Sequence, residues 1–132
     1  YLNCYPEYQI IDSDIIIDSM EKLDPEHPFH ALAKKIIRNL YNGSYSHKAD
    51  MVANLEDMLK PDAVIQFCHW GCKQSSGGSL LLKERMQEMG IPMLILDGDG
   101  IDRRNSHDGQ IKTLLEAFLE MLDSDQSVRK IS

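Results

Sequence analysis

Three cysteines, one tryptophan and no long apolar run are what this chain of 132 residues has where other protein classes carry more. Each shortage excludes something. Cys4 stands alone, and Cys68 and Cys72 are only three residues apart, which is too little for the disulfide framework of a small secreted domain and points to a reducing compartment. No apolar stretch approaches the length that spans a bilayer, and no basic-then-apolar segment opens the sequence, so no membrane partner and a cytoplasmic location are expected. Lysine and arginine total 14 against 21 aspartates and glutamates, a net charge of −7. With no basic stripe interleaved with aromatics, this balance argues against a nucleic-acid partner and favours small molecules or other proteins.

What is present is enough for one core. Hydrophobic residues make up 42% of the chain and no low-complexity run interrupts them, so a single α/β domain over residues 1–132 is expected. The sequence begins at Tyr1 rather than a methionine and its first residues read as the middle of something longer, so a fragment of a larger subunit is expected.

Two short apolar runs, Tyr8–Ile11 and Ile15–Ile17, suggest a strand plus a loop near the start. From Pro28, the residues Phe29, Leu32, Ala33, Ile36, Ile37 and Leu40 recur three and four apart, and Asn42-Gly43 follows as a stop, which predicts an amphipathic helix. A second helix is predicted over 46–59 with Val52, Leu55 and Leu59 inward. Then comes a β-prone run, Ala63–Phe67, a cysteine-bearing turn, a helix over 79–89 carrying Leu82, Met86 and Met89, and a second buried strand, Pro92–Leu96. Asp97–Asn105 is a polar loop. A last helix from about Asp108 puts Ile111, Leu114, Leu115, Phe118 and Leu122 on one face, which places the ordered core at about 24–122 and leaves 123–132 as a polar tail. Strand, loop and helix in repeated order imply a three-layer, flavodoxin- or Rossmann-like parallel sheet with helices on both faces.

Ligands of such sheets bind at the carboxyl ends of strands, where Phe67-Cys68-His69-Trp70-Gly71-Cys72-Lys73-Gln74 lies. A thiolate at a helix start is favoured by the free backbone N–H groups there, making Cys72 a candidate nucleophile or metal ligand, with Lys73 adding positive charge. Cys68, beside Phe67 at a strand end, reads equally as a small buried hydrophobe. Cys68, His69 and Cys72 lack the paired spacing of a structural zinc site, and C-x-x-x-C is not the C-x-x-C of a thioredoxin-type centre. An iron–sulfur cluster is chemically open but needs thiolates from elsewhere. His69 and Trp70 can supply a hydrogen bond and an apolar screen around a bound group, or Trp70 can simply fill the core. Ser75-Ser76-Gly77-Gly78 offers an N-cap hydroxyl and close backbone approach for a phosphate, carboxylate or thioester oxygen, without the Gly-Lys-Ser/Thr of a P-loop. His27, His30, His47 and His107 show no ligand spacing and read as surface or capping residues.

Asp97-Gly98-Asp99-Gly100 has the D-x-D form of phosphatases that use an aspartyl nucleophile with magnesium, but Ile101 and Asp102 stand where those carry a hydroxyl residue and its apolar partner, and as an EF-hand loop the pattern fails because Ile101 occupies the place of an oxygen ligand. The favoured reading is structural, with Asp97 or Asp99 bonding turn amides and Asp102 pairing with Arg103 or Arg104. A redox-sensitive Cys68–Cys72 disulfide in a non-enzymatic regulatory module is a further alternative.

Taken in order, Cys68-His69-Trp70-Gly71-Cys72-Lys73-Gln74, Gly90-Ile91-Pro92, Leu96-Asp97-Gly98-Asp99, Asp102-Arg103-Arg104-Asn105, Gly109-Gln110 and Leu115-Glu116-Ala117-Phe118-Leu119-Glu120-Met121-Leu122 resemble the C-terminal domain of the 2-hydroxyacyl-CoA dehydratase and benzoyl-CoA reductase D-component family. The resemblance covers about Asp24 to Leu122. It implies a [4Fe-4S] cluster held by three cysteines from different parts of a longer subunit, the last of them Cys72, so this stretch alone does not complete the cluster. Cys68 falls where family members often carry serine or another small residue. His69, Trp70 and Gln74 would surround the cluster, with Ser75, Ser76, Gly77 and Gly78 shaping its pocket. The implied reaction removes water from an (R)-2-hydroxyacyl-CoA through a ketyl radical anion, begun by one electron from an ATP-dependent activator protein. The implied partners are the acyl-CoA substrate, a second dehydratase subunit and that activator. Benzoyl-CoA reductases and double-cubane-cluster reductases share the same C-terminal pattern.

Overall fold

The computed structural model describes residues 2–13, 22–105 and 107–129. The chain divides into two compact units, residues 2–59 and residues 60–132.

In the N-terminal unit, helix α1 spans Pro28–Ile37 and helix α2 spans Tyr45–Leu59. Proline opens α1 because its ring already holds a helical φ and the missing N–H has no partner to lose at that position. The helix stops three residues earlier than its apolar repeat, and the predicted stop acts through a side chain. The Asn42 amide donates to the carbonyls of Ile36 and Ile37 at 3.1 and 3.4 Å. From Phe29 to Ile37 the apolar stripe lies on one helix as predicted, with Leu40 buried beyond its end, yet Phe29 is 87% exposed, and Leu32, Ile36 and Ile37 are also exposed. At the start of α2 the Ser44 hydroxyl accepts the His47 N–H, an N-cap arrangement. Val52 is buried with Ala49 and Ala53, whereas Leu59, predicted inward, is exposed. Lys48 is buried here; its ammonium sits 4.3 Å from the centre of the Tyr41 ring, whose electron-rich face offsets part of the lost hydration. The expected strand at Tyr8–Ile11 does not form: these residues have no regular structure, and Ile10 and Ile11 are exposed. A strand needs a neighbour for its backbone groups, and among the described residues none pairs with this run. The second run, Ile15–Ile17, lies outside the described residues.

From Lys60 onward the fold is α/β. Strand β1 spans Val64–His69 and strand β2 spans Met93–Gly98, and they pair in parallel from Val64 opposite Met93 to His69 opposite Gly98. Parallel neighbours require a crossover, supplied by helices α3 (Lys73–Ser76) and α4 (Ser79–Glu88). Helix α4 ends in a Schellman motif, with Gly90 N–H on the Gln87 carbonyl at 3.0 Å and Ile91 N–H on the Met86 carbonyl at 2.9 Å. Gly90 takes φ +72°, which a side chain would resist, and Pro92 then prevents the helix from resuming. Helix α5, Asp108–Arg129, packs on β2, as does α4. Cys68, Leu82, Met86, Met93, Leu96, Ile111, Leu115, Phe118, Leu119 and Leu122 are buried in this unit, with Met86 at 0% exposure.

Two expectations change here. The polar tail predicted from Asp123 is helical as far as Arg129. No glycine or proline follows Gly109 to stop the helix, and the Ser124 hydroxyl bonds back to the Glu120 carbonyl at 2.9 Å. Leu114 is exposed and Leu119 takes the buried place instead. Among the described residues no helix is long and apolar enough to cross a membrane.

Candidate functional site

The carboxyl ends of β1 and β2 finish level, and the chemistry-bearing residues gather there. After β1, the chain turns through His69-Trp70-Gly71-Cys72, closed by the Cys72 N–H on the His69 carbonyl at 3.1 Å. Gly71 has φ +77°, the value a type II turn demands of its third residue, so the glycine in this motif is required by the turn. Cys72 follows as the N-cap of α3.

The two cysteines have different environments. Cys68 is 1% exposed and its thiol donates to the Ser75 carbonyl at 3.3 Å, beside the Gln66 amide, which donates to the same oxygen at 2.6 Å. It fills the core, as the bland reading of the sequence had it. Cys72 is partly exposed. Its carbonyl accepts the backbone N–H groups of Ser75 and Ser76, both at 3.1 Å, and their hydroxyls at 3.1 and 2.9 Å. No disulfide joins the two cysteines.

The single helix start expected at Ser75–Gly78 is in fact a break. The paired glycines separate four-residue α3 from α4, so Cys72 stands before one helical turn rather than a long dipole. Neither serine caps α4: Gly78 is its N-cap, and the Ser75 and Ser76 hydroxyls point back to Cys72. Gly77 closes α3 with its N–H on the Lys73 carbonyl at 2.8 Å, and a Cβ on Gly77 would lie 2.6 Å from that oxygen. Gln74 is exposed on α3.

His69 and Trp70 turn out to have partners that sequence reasoning missed. The Gly100 N–H donates to His69 Nδ1 at 3.1 Å, and Asp99 Oδ1 lies 3.7 Å from the same nitrogen. The Trp70 indole, about half exposed, lies against His107, with ring centroids 6.4 Å apart and planes at 56°. Backbone contact joins the two strand ends directly, since the Trp70 N–H donates to the Gly98 carbonyl at 2.9 Å. The signal that could have found these partners is the strand order itself: in a parallel pair the segments after both strands emerge on one edge.

The polar loop expected from Asp97 begins two residues later, since Asp97 and Gly98 close β2, and the Asp99–Asn105 loop is held by its own side chains. Asp99 Oδ1 accepts the N–H groups of Ile101 and Asp102 at 2.9 and 3.1 Å, and Oδ2 accepts the Asn105 amide at 3.0 Å. The Asn105 amide first, then those two N–H groups, hold the Asp99 carboxyl at about 2, well below its ordinary 3.8. Asp102 is also lowered, by the Arg104 guanidinium at 2.7 Å. A carboxylate so fully engaged with its own loop and so acidic is a poor proton donor, which counts against the part Asp99 would play in the phosphatase reading, while Asp97 is exposed at the end of β2.

A family model described as 2-hydroxyglutaryl-CoA dehydratase, D-component, matches residues 2–122. The chain belongs to this family. No curated protein and no solved structure matches it. The family takes its name from a dehydratase of more than one component whose substrate is an acyl-CoA. Among the described residues no group of three or more His, Cys, Asp and Glu side chains could hold a metal ion. Within residues 60–132, Cys68 is bonded in the core and Cys72 is the partly exposed thiol at the strand ends, so this unit taken by itself presents fewer thiolates than a four-iron cluster takes. The N-terminal unit has a cleft of about 270 Å³ lined by Lys22, His30, Lys34, Lys35 and Asp24 among others, and it contains no residue singled out for chemistry.

Proposed function

We propose that this chain is the C-terminal domain of a cytoplasmic 2-hydroxyacyl-CoA dehydratase-like subunit, and that it supplies one thiolate, Cys72, to a [4Fe-4S] cluster completed by cysteines from other parts of the subunit. The observation that carries the reading is the contrast within the pair: Cys72 is partly exposed at the N-cap of a one-turn helix, while the Cys68 thiol is buried on the Ser75 carbonyl. Only the former can reach an external group without unpacking the core. When bound, the cluster would deliver the single low-potential electron that activates the thioester of an (R)-2-hydroxyacyl-CoA.

The chain's own residues then have definite tasks. The Gly71 turn and the four bonds on the Cys72 carbonyl fix the backbone from which the sulfur projects. Trp70 supplies apolar surface beside it, restricting water, while His69 and the exposed Gln74 supply polar contacts. Gly77 lets the end of α3 close tightly on the Lys73 carbonyl, where a Cβ would lie 2.6 Å from the oxygen. The second subunit and the ATP-dependent activator protein are the partners this reading requires.

The test uses the full-length subunit, prepared without oxygen, with iron and sulfide analysis and electron paramagnetic resonance on wild type, Cys72→Ala and Cys68→Ala. Loss of the cluster in Cys72→Ala, with retention in Cys68→Ala, is expected. Equal iron content in wild type and Cys72→Ala would remove Cys72 from the ligand set.

A further inference from the structure

We infer that the Asp99–Asn105 loop is a positioning device for His69, fixing the neutral imidazole with its proton on Nε2 so that the ring serves the site as a hydrogen-bond donor. Two groups compete for Nδ1, and the choice between them decides what Nε2 can do. If Nδ1 carried the proton and gave it to Asp99 Oδ1, Nε2 would present a lone pair, fit to bind a metal or accept a proton. The distances decide the matter: the Gly100 N–H reaches Nδ1 at 3.1 Å, whereas Asp99 Oδ1 stands at 3.7 Å, beyond hydrogen-bonding range. An N–H can donate only into a lone pair, so Nδ1 is unprotonated and the proton of the neutral ring is on Nε2.

Asp99 therefore acts on His69 through the loop rather than by contact. Its Oδ1 gathers the N–H groups of Ile101 and Asp102, its Oδ2 takes the Asn105 amide, and the loop so folded delivers the Gly100 N–H to the ring. The acceptor suited to Nε2–H is an anionic sulfur or a carbonyl oxygen. The nature of that acceptor rests on the dehydratase-like reading, but the tautomer does not. On these grounds His69 is neither a metal ligand nor a general base, despite lying three residues from Cys72.

The experiment is nitrogen-15 NMR on this chain without cluster, at a pH where the ring is neutral. Wild type is expected to show Nδ1 at the lone-pair position, Nε2 at the protonated position, and a scalar coupling from the Gly100 nitrogen to Nδ1 across the hydrogen bond. Asp99→Ala is expected to lose the coupling and shift the ring toward a mixture of tautomers. Asp99→Asn, whose amide oxygen still accepts the Ile101 and Asp102 amides, is expected to keep it. A proton on Nδ1 in wild type overturns the inference even if Asp99→Ala fails to fold, and so does a coupling that survives in a folded Asp99→Ala. Because the spectra are read without iron, failure of the cluster reading and failure of this one are separate results.

Discussion

Helices α1 and α5 carry the same apolar repeat and put it to opposite use. In α5, Ile111, Leu115, Phe118 and Leu122 are buried, with α5 packed on β2. In α1, residues of equal spacing, Phe29, Leu32 and Ile36, face solvent among the described residues, and Ala31 is the buried one. A repeat of three and four makes a helix and chooses its face; burial needs something for that face to meet, and the repeat does not encode the neighbour.

The sharpest way to probe that contrast is to cut into the α5 face. Leu115 is 2% exposed, and Leu115→Ala is expected to cost about 3 kcal/mol through lost contact and the cavity left behind, read as a lowered denaturant midpoint. A loss near zero would mean the α5 face is as unsupported as that of α1.

Acid offers a second probe, specific to the strand-end loop. The Asp99 carboxyl is depressed in the folded state to about 2, from 3.8, so the stability it lends is complete above the unfolded value and is lost as pH falls through about 2. Its carboxyl carbon is expected to titrate near pH 2 by NMR, and the Ile101 and Asp102 amides to gain hydrogen exchange over the same acid window. A midpoint near 4 would show that the loop bonds do not persist in solution.

The smallest effect is expected where the repeat is unspent. Phe29→Ser should change the stability of this chain by less than about 0.5 kcal/mol, because its ring is already in water. A large loss of melting temperature would show that the α1 face is covered after all and would dissolve the contrast.

These differences also mark what could be read in advance. The strands, α4 and the crossover were legible because apolar runs and punctuation agreed: Val64-Ile65 and Met93-Leu94-Ile95-Leu96 are strand-prone, and Gly90-Ile91-Pro92 ends one element and begins another. The Gly in His69-Trp70-Gly71-Cys72 was visible, and the φ it serves was not. The link from His69 to Gly100 spans 31 positions, and no local rule reaches across that distance; it follows only once His69 is known to sit opposite Gly98. The irregular Tyr8–Ile11 run failed for the reverse reason, since its β-prone residues promised a strand that no described neighbour completes.

The level ending of β1 and β2 has a consequence for how such a site can be inherited. His69 sits beside Gly98 on the last rung of the ladder, so the cysteine turn and the aspartate loop meet whatever the length of chain between them. Residues added to or removed from the crossover alter the route and leave the meeting place intact. Descendants of this fold can therefore vary the helices between the strands while the turn and the loop keep evolving as a pair.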